Sequence, residues 1–303
     1  MAPVVEKVCE PVMLGEGPHW DAPTQTLYYV DIEGKKLFKY VPATKTRTAV
    51  TLDDLIGFAL PVEGRPNVFV AGLKKRIVLA TWDGKSETPE LVENLLEVQR
   101  DVKIDELRIN DGKADPSGRV WAGTMSKVEV GMSDGVLFYV EGGKHHVRQT
   151  QVGLSNGLAW TQDCKTMYYV DSLKRTVDVM SVEPASGQIS NRRPLFDLAK
   201  NNVEGFPDGM TIDLEGKLWV AVYGGAKVLR INPDDGSLMT TVDIPAAEVT
   251  SVAFGGANLD ELYVTTAAMR VTKELREKMP DAGALFRVTG LGVRGYPGRA
   301  AKL

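Results

Sequence analysis

Four polar residues share one local frame: Glu16 in EGPHWD, Asn110 in NDGKAD, Asn156 in NGLAWT and Asp208 in DGMTID. Two are carboxylates, two are carboxamides, and none is Cys or His. An oxygen-only set of mixed charge suits a hard divalent cation such as Ca²⁺, Mg²⁺ or Mn²⁺, with water completing the shell. Two carboxylates brought together without a cation repel, and one of them holds its proton to higher pH. Taken singly, an Asn-Gly or Asp-Gly pair is an ordinary turn. The chemistry therefore depends on whether the fold brings the four together.

The elements that would do so repeat along the chain. TLYYVD at 26–31 returns as TMYYVD at 166–171, and DPSGRVWAGT at 115–124 returns as DLEGKLWVAV at 213–222. These are strand-like runs bounded by turn residues. Five residues after each polar position come Asp21, Asp115, Thr161 and Asp213. Two weaker copies begin at Gly57 and Ser251, so the units start at 16, 57, 110, 156, 208 and 251. A period of about 40–50 residues built of short antiparallel strands is the mark of a β-propeller blade. The expectation is an all-β, six-bladed β-propeller spanning residues 1–303 as one domain, with a metal site at one mouth of its central channel. A single β-sandwich is the alternative, but it has no need of six similar units.

In such a frame Glu16, Gly57, Asn110, Asn156, Asp208 and Ser251 form a ring at one end of the channel. Arg108 lies two residues before Asn110, on the same strand face. It is read either as a holder of an anionic or oxygen-rich substrate or as a salt-bridge partner of Asp111 or Asp115. His19 is placed in the core or behind Glu16. His145 and His146 are expected in a solvated loop, and residues 270–280 as a short surface helix. A nucleotide-binding G-x-G-x-x-G, a P-loop and a G-x-S-x-G elbow are all missing.

Composition narrows the classes further. The 303 residues carry 36 Lys and Arg against 40 Asp and Glu, a net charge of −4. That balance argues against a nucleic-acid partner, and no apolar run reaches membrane-spanning length. Cys9 and Cys164 are too few for a disulfide framework, which points to free thiols in the cytoplasm. The ending Ala301-Lys302-Leu303 differs from the peroxisomal S-K-L address by one residue. The expected partner is a small-molecule substrate, with the chain a monomer or weak dimer.

GEGPHWD, RINDGKADPSGRVWAGTM, SNGLAW, FPDGMTIDLEGKLWVAV and TSVAFGGANLDELYVT together resemble the senescence-marker-protein/gluconolactonase/luciferin-regenerating-enzyme family, over essentially the whole chain. The resemblance implies a six-bladed propeller with one divalent cation (Ca²⁺, Mg²⁺, Mn²⁺ or Zn²⁺) held by Glu16, Asn156 and Asp208. It also implies substrate contacts at Arg108 and Asn110 and an acid/base role for Asp208. QISNRRPLF and VTGLGVRGYPG are most similar to the insect branch, which implies conversion of oxyluciferin to 2-cyano-6-hydroxybenzothiazole. In the mammalian branch an acidic substrate contact follows GTM. Here the matching position is near Val128, with Glu129 one step away, in a segment expected to cover the site. The apolar residue favours an aromatic substrate over a sugar lactone.

The implied chemistry is metal-assisted opening of a lactone-type ring. The cation polarises the carbonyl and acidifies a water, Asp208 moves the proton, and Arg108 and Asn110 orient the substrate and offset oxyanion charge. Two other classes share these residues: a calcium-binding regulator without a substrate, and an organophosphate hydrolase.

Overall fold

The computed structural model describes residues 2–99, 107–126 and 134–303. Its strands, in chain order, are β1 Val4–Cys9, β2 Gly15–Asp21, β3 Thr26–Asp31, β4 Lys36–Val41, β5 Thr46–Thr51, β6 Ile56–Val62, β7 Arg65–Leu73, β8 Arg76–Thr81 and β9 Leu91–Glu97. Next come β10 Leu107–Ala114, β11 Val120–Ser126, β12 Gly135–Glu141, β13 Lys144–Val152, β14 Ser155–Trp160, β15 Thr166–Asp171, β16 Thr176–Glu183 and β17 Gln188–Asp197. The last are β18 Phe206–Ile212, β19 Leu218–Tyr223, β20 Lys227–Asn232, β21 Ser237–Asp243, β22 Glu248–Gly255, β23 Glu261–Ala267 and β24 Leu285–Thr289.

Strands that follow one another within a sheet pair antiparallel, giving four-stranded meanders. Four of the six expected blades stand as separate sheets: β2–β5, β6–β9, β10–β13 and β14–β17. The other eight strands form one continuous sheet rather than two. The cause is a single residue pair, Tyr223 of β19 opposite Glu248 of β22, which joins β18–β21 to β22, β23, β24 and β1. The N-terminal strand β1 lies outside β24 and ties the two ends of the chain into one sheet.

Apolar clusters fill the gaps between neighbouring meanders. Phe58, Val70 and Ile77 meet Ile109, Ala122 and Phe138. Trp121 and Tyr139 meet Leu158 and Tyr169, and Trp20 and Tyr29 meet Tyr263 and Leu285. Burial of large aromatic and β-branched side chains on both faces of each sheet is what holds the meanders around a common axis. Within a meander a tryptophan is pinned by the aspartate that ends the first strand. Trp121 Nε1 donates to Asp115 Oδ2 at 3.0 Å, and Trp219 Nε1 donates to Asp213 Oδ2 at 3.0 Å. The repeated D-x-x-G-x-x-W spacing is therefore a fold signal.

After β24 the chain runs under the far end of the channel and bonds to every meander in turn. Arg294 O accepts from Leu214 N, Gly295 N donates to Leu259 O and Gly298 N donates to Trp20 O. Arg299 reaches Gln162. Ala301 pairs with Pro61 and Glu63, and Lys302 N donates to Gly118 O. Ala301 is fully buried.

Two local expectations come out in opposite ways, the helix within 270–280 as expected and the histidines not. Residues 273–278 form the helix α1, capped by the Thr272 hydroxyl, which accepts from Leu275 N at 3.2 Å. The 145–146 histidines are not in a solvated loop: both lie in β13, and His146 stacks on Tyr139 at 4.9 Å.

Candidate functional site

The six first strands carry the same irregularity at the same place. In β2, β6, β10, β14, β18 and β22 the register slips by one extra residue, at Glu16/His19, Ile56/Phe58, Ile109/Asp111, Ser155/Leu158, Pro207/Met210 and Val249/Ser251. A bulge of this kind breaks the alternation of a strand and re-aims one side chain. Four slips bracket a position of the expected ring, Gly57, Asn110, Asn156 and Asp208, and the other two have Glu16 and Ser251 at their edge. The glycines that follow act by closeness more than by bending. Gly17 does take φ +54, but a Cβ on Gly157 would meet Asp208 O at 2.5 Å and one on Gly209 would run into the Ser251 side chain. Side chains there would push the strands apart.

The structure brings Glu16, Arg108, Asn110, Asn156 and Asp208 together, all buried. A chain of hydrogen bonds fixes their orientation. Arg108 Nη1 donates to Asn110 Oδ1 at 2.6 Å, and Asn110 Nδ2 donates to Asn156 Oδ1 at 2.9 Å and to Ser155 O at 2.7 Å. Asn156 Nδ2 donates to Ser172 Oγ at 2.8 Å, and Ser172 Oγ donates to Pro207 O at 2.7 Å. Arg108 hydrogen-bonds to Asn110 and Ile109 O, while Asp115 is bonded by Ser117, Arg119 and Trp121. Asn110 has both its amide groups engaged within the protein; Arg108 Nε is buried without a partner among the described residues.

Charge in the ring is unbalanced. Burial, and then the neighbouring Asp111 carboxylate, push Glu16 up to about 8. Burial also raises Asp208 well above the carboxylate range, reinforced by Glu16 and Asp111. Below the ring, Asp111 is raised by burial and partly relieved by Lys113, whose ammonium donates to Met210 O at 2.6 Å. Burial lowers Arg108 to about 10 and, with Lys113 as the lesser cause, His19 to about 3. His19 is thus a neutral ring in the lower channel, beside a cavity of about 80 Å³ lined by Trp20, Lys113, Trp160, Phe254 and Tyr296.

The residues present fit a hard divalent cation. Asp208 Oδ1 is buried and has no hydrogen-bond partner among the described residues. The Asn156 amide is turned by Ser172 so that its oxygen faces the ring, with one lone pair left after Asn110. Two carboxylates and a carboxamide oxygen supply negative charge where their mutual repulsion calls for a counter-ion. Among the described residues no three His, Cys, Asp or Glu side chains cluster at metal-binding distance. This set has only two such residues, its third donor being an amide.

Sequence reasoning missed the residues that hold the ring in place. Asp31 accepts from Met13 N at 3.1 Å and Leu14 N at 2.9 Å, just before Glu16. Asp171 accepts from Gly153 N at 3.3 Å and Leu154 N at 3.0 Å, just before Asn156. Both end a YYVD strand, so the repeated motif was the available signal. Ser172, Asp111, Lys113, Tyr223 and Glu248 carried no such mark. Glu129 and Val128 lie outside the described residues.

The sequence pattern described as "SMP-30/Gluconolactonase/LRE-like region" matches residues 14–268. Regucalcin of Danio rerio is 39% identical over 286 residues, covering 94% of this chain and 93% of its own. A solved luciferin-regenerating enzyme is 44% identical, with a TM-score of 0.95 and 100% of both chains covered. A calcium-binding protein, regucalcin from Agrobacterium tumefaciens, has a TM-score of 0.89 over 99% of this chain and 98% of its own. At 23% identity that last likeness speaks for the fold alone. Repeat, all-β propeller architecture and full-length relatives agree: the chain belongs to the SMP-30/gluconolactonase/luciferin-regenerating-enzyme-like family.

Proposed function

We propose that this chain is a divalent-cation-dependent hydrolase that opens a lactone-type ring at the mouth of its channel. The observation that carries the reading is the unpartnered, buried Asp208 Oδ1 beside the Glu16 carboxylate and the oriented Asn156 oxygen. In this reading Glu16, Asn156 and Asp208 hold one cation. Bound there, it supplies Lewis acidity toward the ring carbonyl and an acidified water.

The chain's own groups do the rest. Asp208, raised when alone, becomes a carboxylate beside a cation and takes the proton of the attacking water. It returns the proton to the departing ring oxygen or sulfur. Arg108, with its free Nε, faces the developing oxyanion. Asn110 is a strut: it aligns Arg108 with Asn156 and has its own donors engaged internally. Burial of the whole set strengthens each of these interactions.

We also read the eight-stranded sheet as two blades bridged by Tyr223 and Glu248, which makes the propeller six-bladed. The similarity to a luciferin-regenerating enzyme over the full chain leads us to a cyclic thioester such as oxyluciferin as the finer substrate assignment. The two free cysteines and the buried Ala301 lead us to the cytoplasm as the working location. A calcium-binding role without turnover is the second reading, favoured by the same cation-ready oxygens.

The test is product analysis. Wild type is expected to open δ-gluconolactone, an aromatic lactone or oxyluciferin to a ring-opened product, and Asp208→Ala to be slower by roughly 10²-fold or more. Cation binding with no ring-opened product from any of the three would favour the regulator instead.

A further inference from the structure

The residue pair that merges two meanders also builds a wall at the channel mouth. Phe206 of β18 pairs with Tyr223 of β19, Tyr223 with Glu248 of β22, and Glu248 with Ala267 of β23. Residues directly opposite in a sheet share a face, so these side chains form one row. The row lies at the ring end: Phe206 is two residues before Asp208, and Glu248 is three before Ser251. Phe206 is 42% exposed, and the Arg175 guanidinium sits 5.8 Å from its ring centre. Arg175 is itself held by Gly205 O at 3.1 Å and Val203 O at 3.0 Å, which fixes the aromatic plate. Tyr223 is half-buried among Leu55 and Met269.

Glu248 is the unusual member. Its Oε2 is buried and has no hydrogen-bond partner among the described residues. A buried acceptor left unpaired costs stability, and such a cost persists where a ligand donor completes it. Burial raises the pKa of Glu248 above the usual carboxylate range, opposed by the Gly224 amide and then by the Arg270 charge. The Tyr223 hydroxyl, pushed up to about 12 by burial and then by Glu248, also feels Asp208 and Glu16, which ties the wall to the ring.

Resting on the ring-opening reading of this mouth, we propose that Glu248 is a specificity residue: it accepts a hydrogen bond from a hydroxyl on the distal part of a flat, aromatic substrate lying against Phe206 and Tyr223. A sugar-sized lactone seated at the ring would leave this wall untouched. A fused aromatic ring would reach it and satisfy Oε2.

The experiment uses a pair of non-hydrolysable lactams, 3,4-dihydroquinolin-2-one and its 6-hydroxy derivative, titrated calorimetrically into the Mn²⁺-loaded protein. Wild type is expected to bind the hydroxylated lactam about tenfold more tightly. Glu248→Ala should remove that preference. Glu248→Gln, whose amide oxygen still accepts, should keep part of it, and the exposed Glu93→Ala should keep all of it. No preference in wild type, or an undiminished preference in Glu248→Ala, overturns the proposal, as does failure of the hydroxylated lactam to bind. Turnover of dihydrocoumarin is measured alongside. Preference without turnover removes the ring-opening reading and leaves the wall; turnover without preference does the reverse.

Discussion

At the scale of residues, the site is defined by what its groups lack. Asp208 Oδ1, Arg108 Nε and Glu248 Oε2 are all buried without partners among the described residues, while Asn110 and Asn156 are paired in sequence. The raised acids give a pH prediction with a definite sign. Glu16 ordinarily releases its proton near 4.5, but in the folded chain it does so near 8. Between those values the folded state binds a proton that the unfolded state has lost, so stability falls as pH rises. Asp208 adds to the slope in the same direction. Chelated protein is therefore expected to lose thermal stability between about pH 5 and 8, followed by calorimetry. Saturating Ca²⁺ or Glu16→Gln should flatten the profile, and a level profile for chelated wild type would count against the charge arrangement described. Arg108→Lys keeps the charge but loses the fork that grips Asn110. A drop of roughly tenfold or more in kcat/KM is expected, with the cation affinity little changed, because Lys cannot both align the amide and face the oxyanion.

At the scale of elements, the sequence was readable where the repeat was strong. The ring positions followed from the spacing of Glu16, Asn110, Asn156 and Asp208, whereas the aspartate–tryptophan locks went unread although D-x-x-G-x-x-W repeats in the sequence. Bulges were not readable, because a one-residue slip is a relation between two strands and leaves no composition signature in either. Nor was the Tyr223–Glu248 bridge, which depends on how closely two meanders approach at the mouth. Asp31 and Asp171 were in plain view in the YYVD repeat. They escaped notice because each acts on a loop 17 or 18 residues earlier in the chain. Asp171→Ala leaves two backbone N–H groups of that loop without their acceptor. It is expected to cost about 1–3 kcal/mol in denaturant unfolding and to weaken cation binding through the displaced Asn156. Unchanged cation affinity in a folded Asp171→Ala protein would show that the loop is held by other means.

At the scale of the molecule, two devices close the ring. Strand β1 ties the N-terminal segment to β24, and the segment after β24 bonds to all the meanders across the far end of the channel. That strap sits against His19: a Cβ on Gly298 would meet the imidazole at 2.5 Å. Gly298→Val should therefore lift the strap and lower stability by about 1–3 kcal/mol, while the ring at the opposite mouth keeps its cation affinity. The separation of a sealed lower end from a polar upper mouth is what gives the propeller a single working face.

The central claim is that one divalent cation, held by Glu16, Asn156 and Asp208, is required for ring opening. The most direct measurement is the rate of lactone hydrolysis by chelated protein as Mn²⁺ is added back, with bound metal counted in the same samples. The account predicts no turnover without cation and a rise that saturates at one ion per chain in wild type. It also predicts that Glu16→Gln and Asp208→Ala bind less and recover little. Full activity in metal-free protein, or activity that rises without stoichiometric binding at these residues, would contradict it.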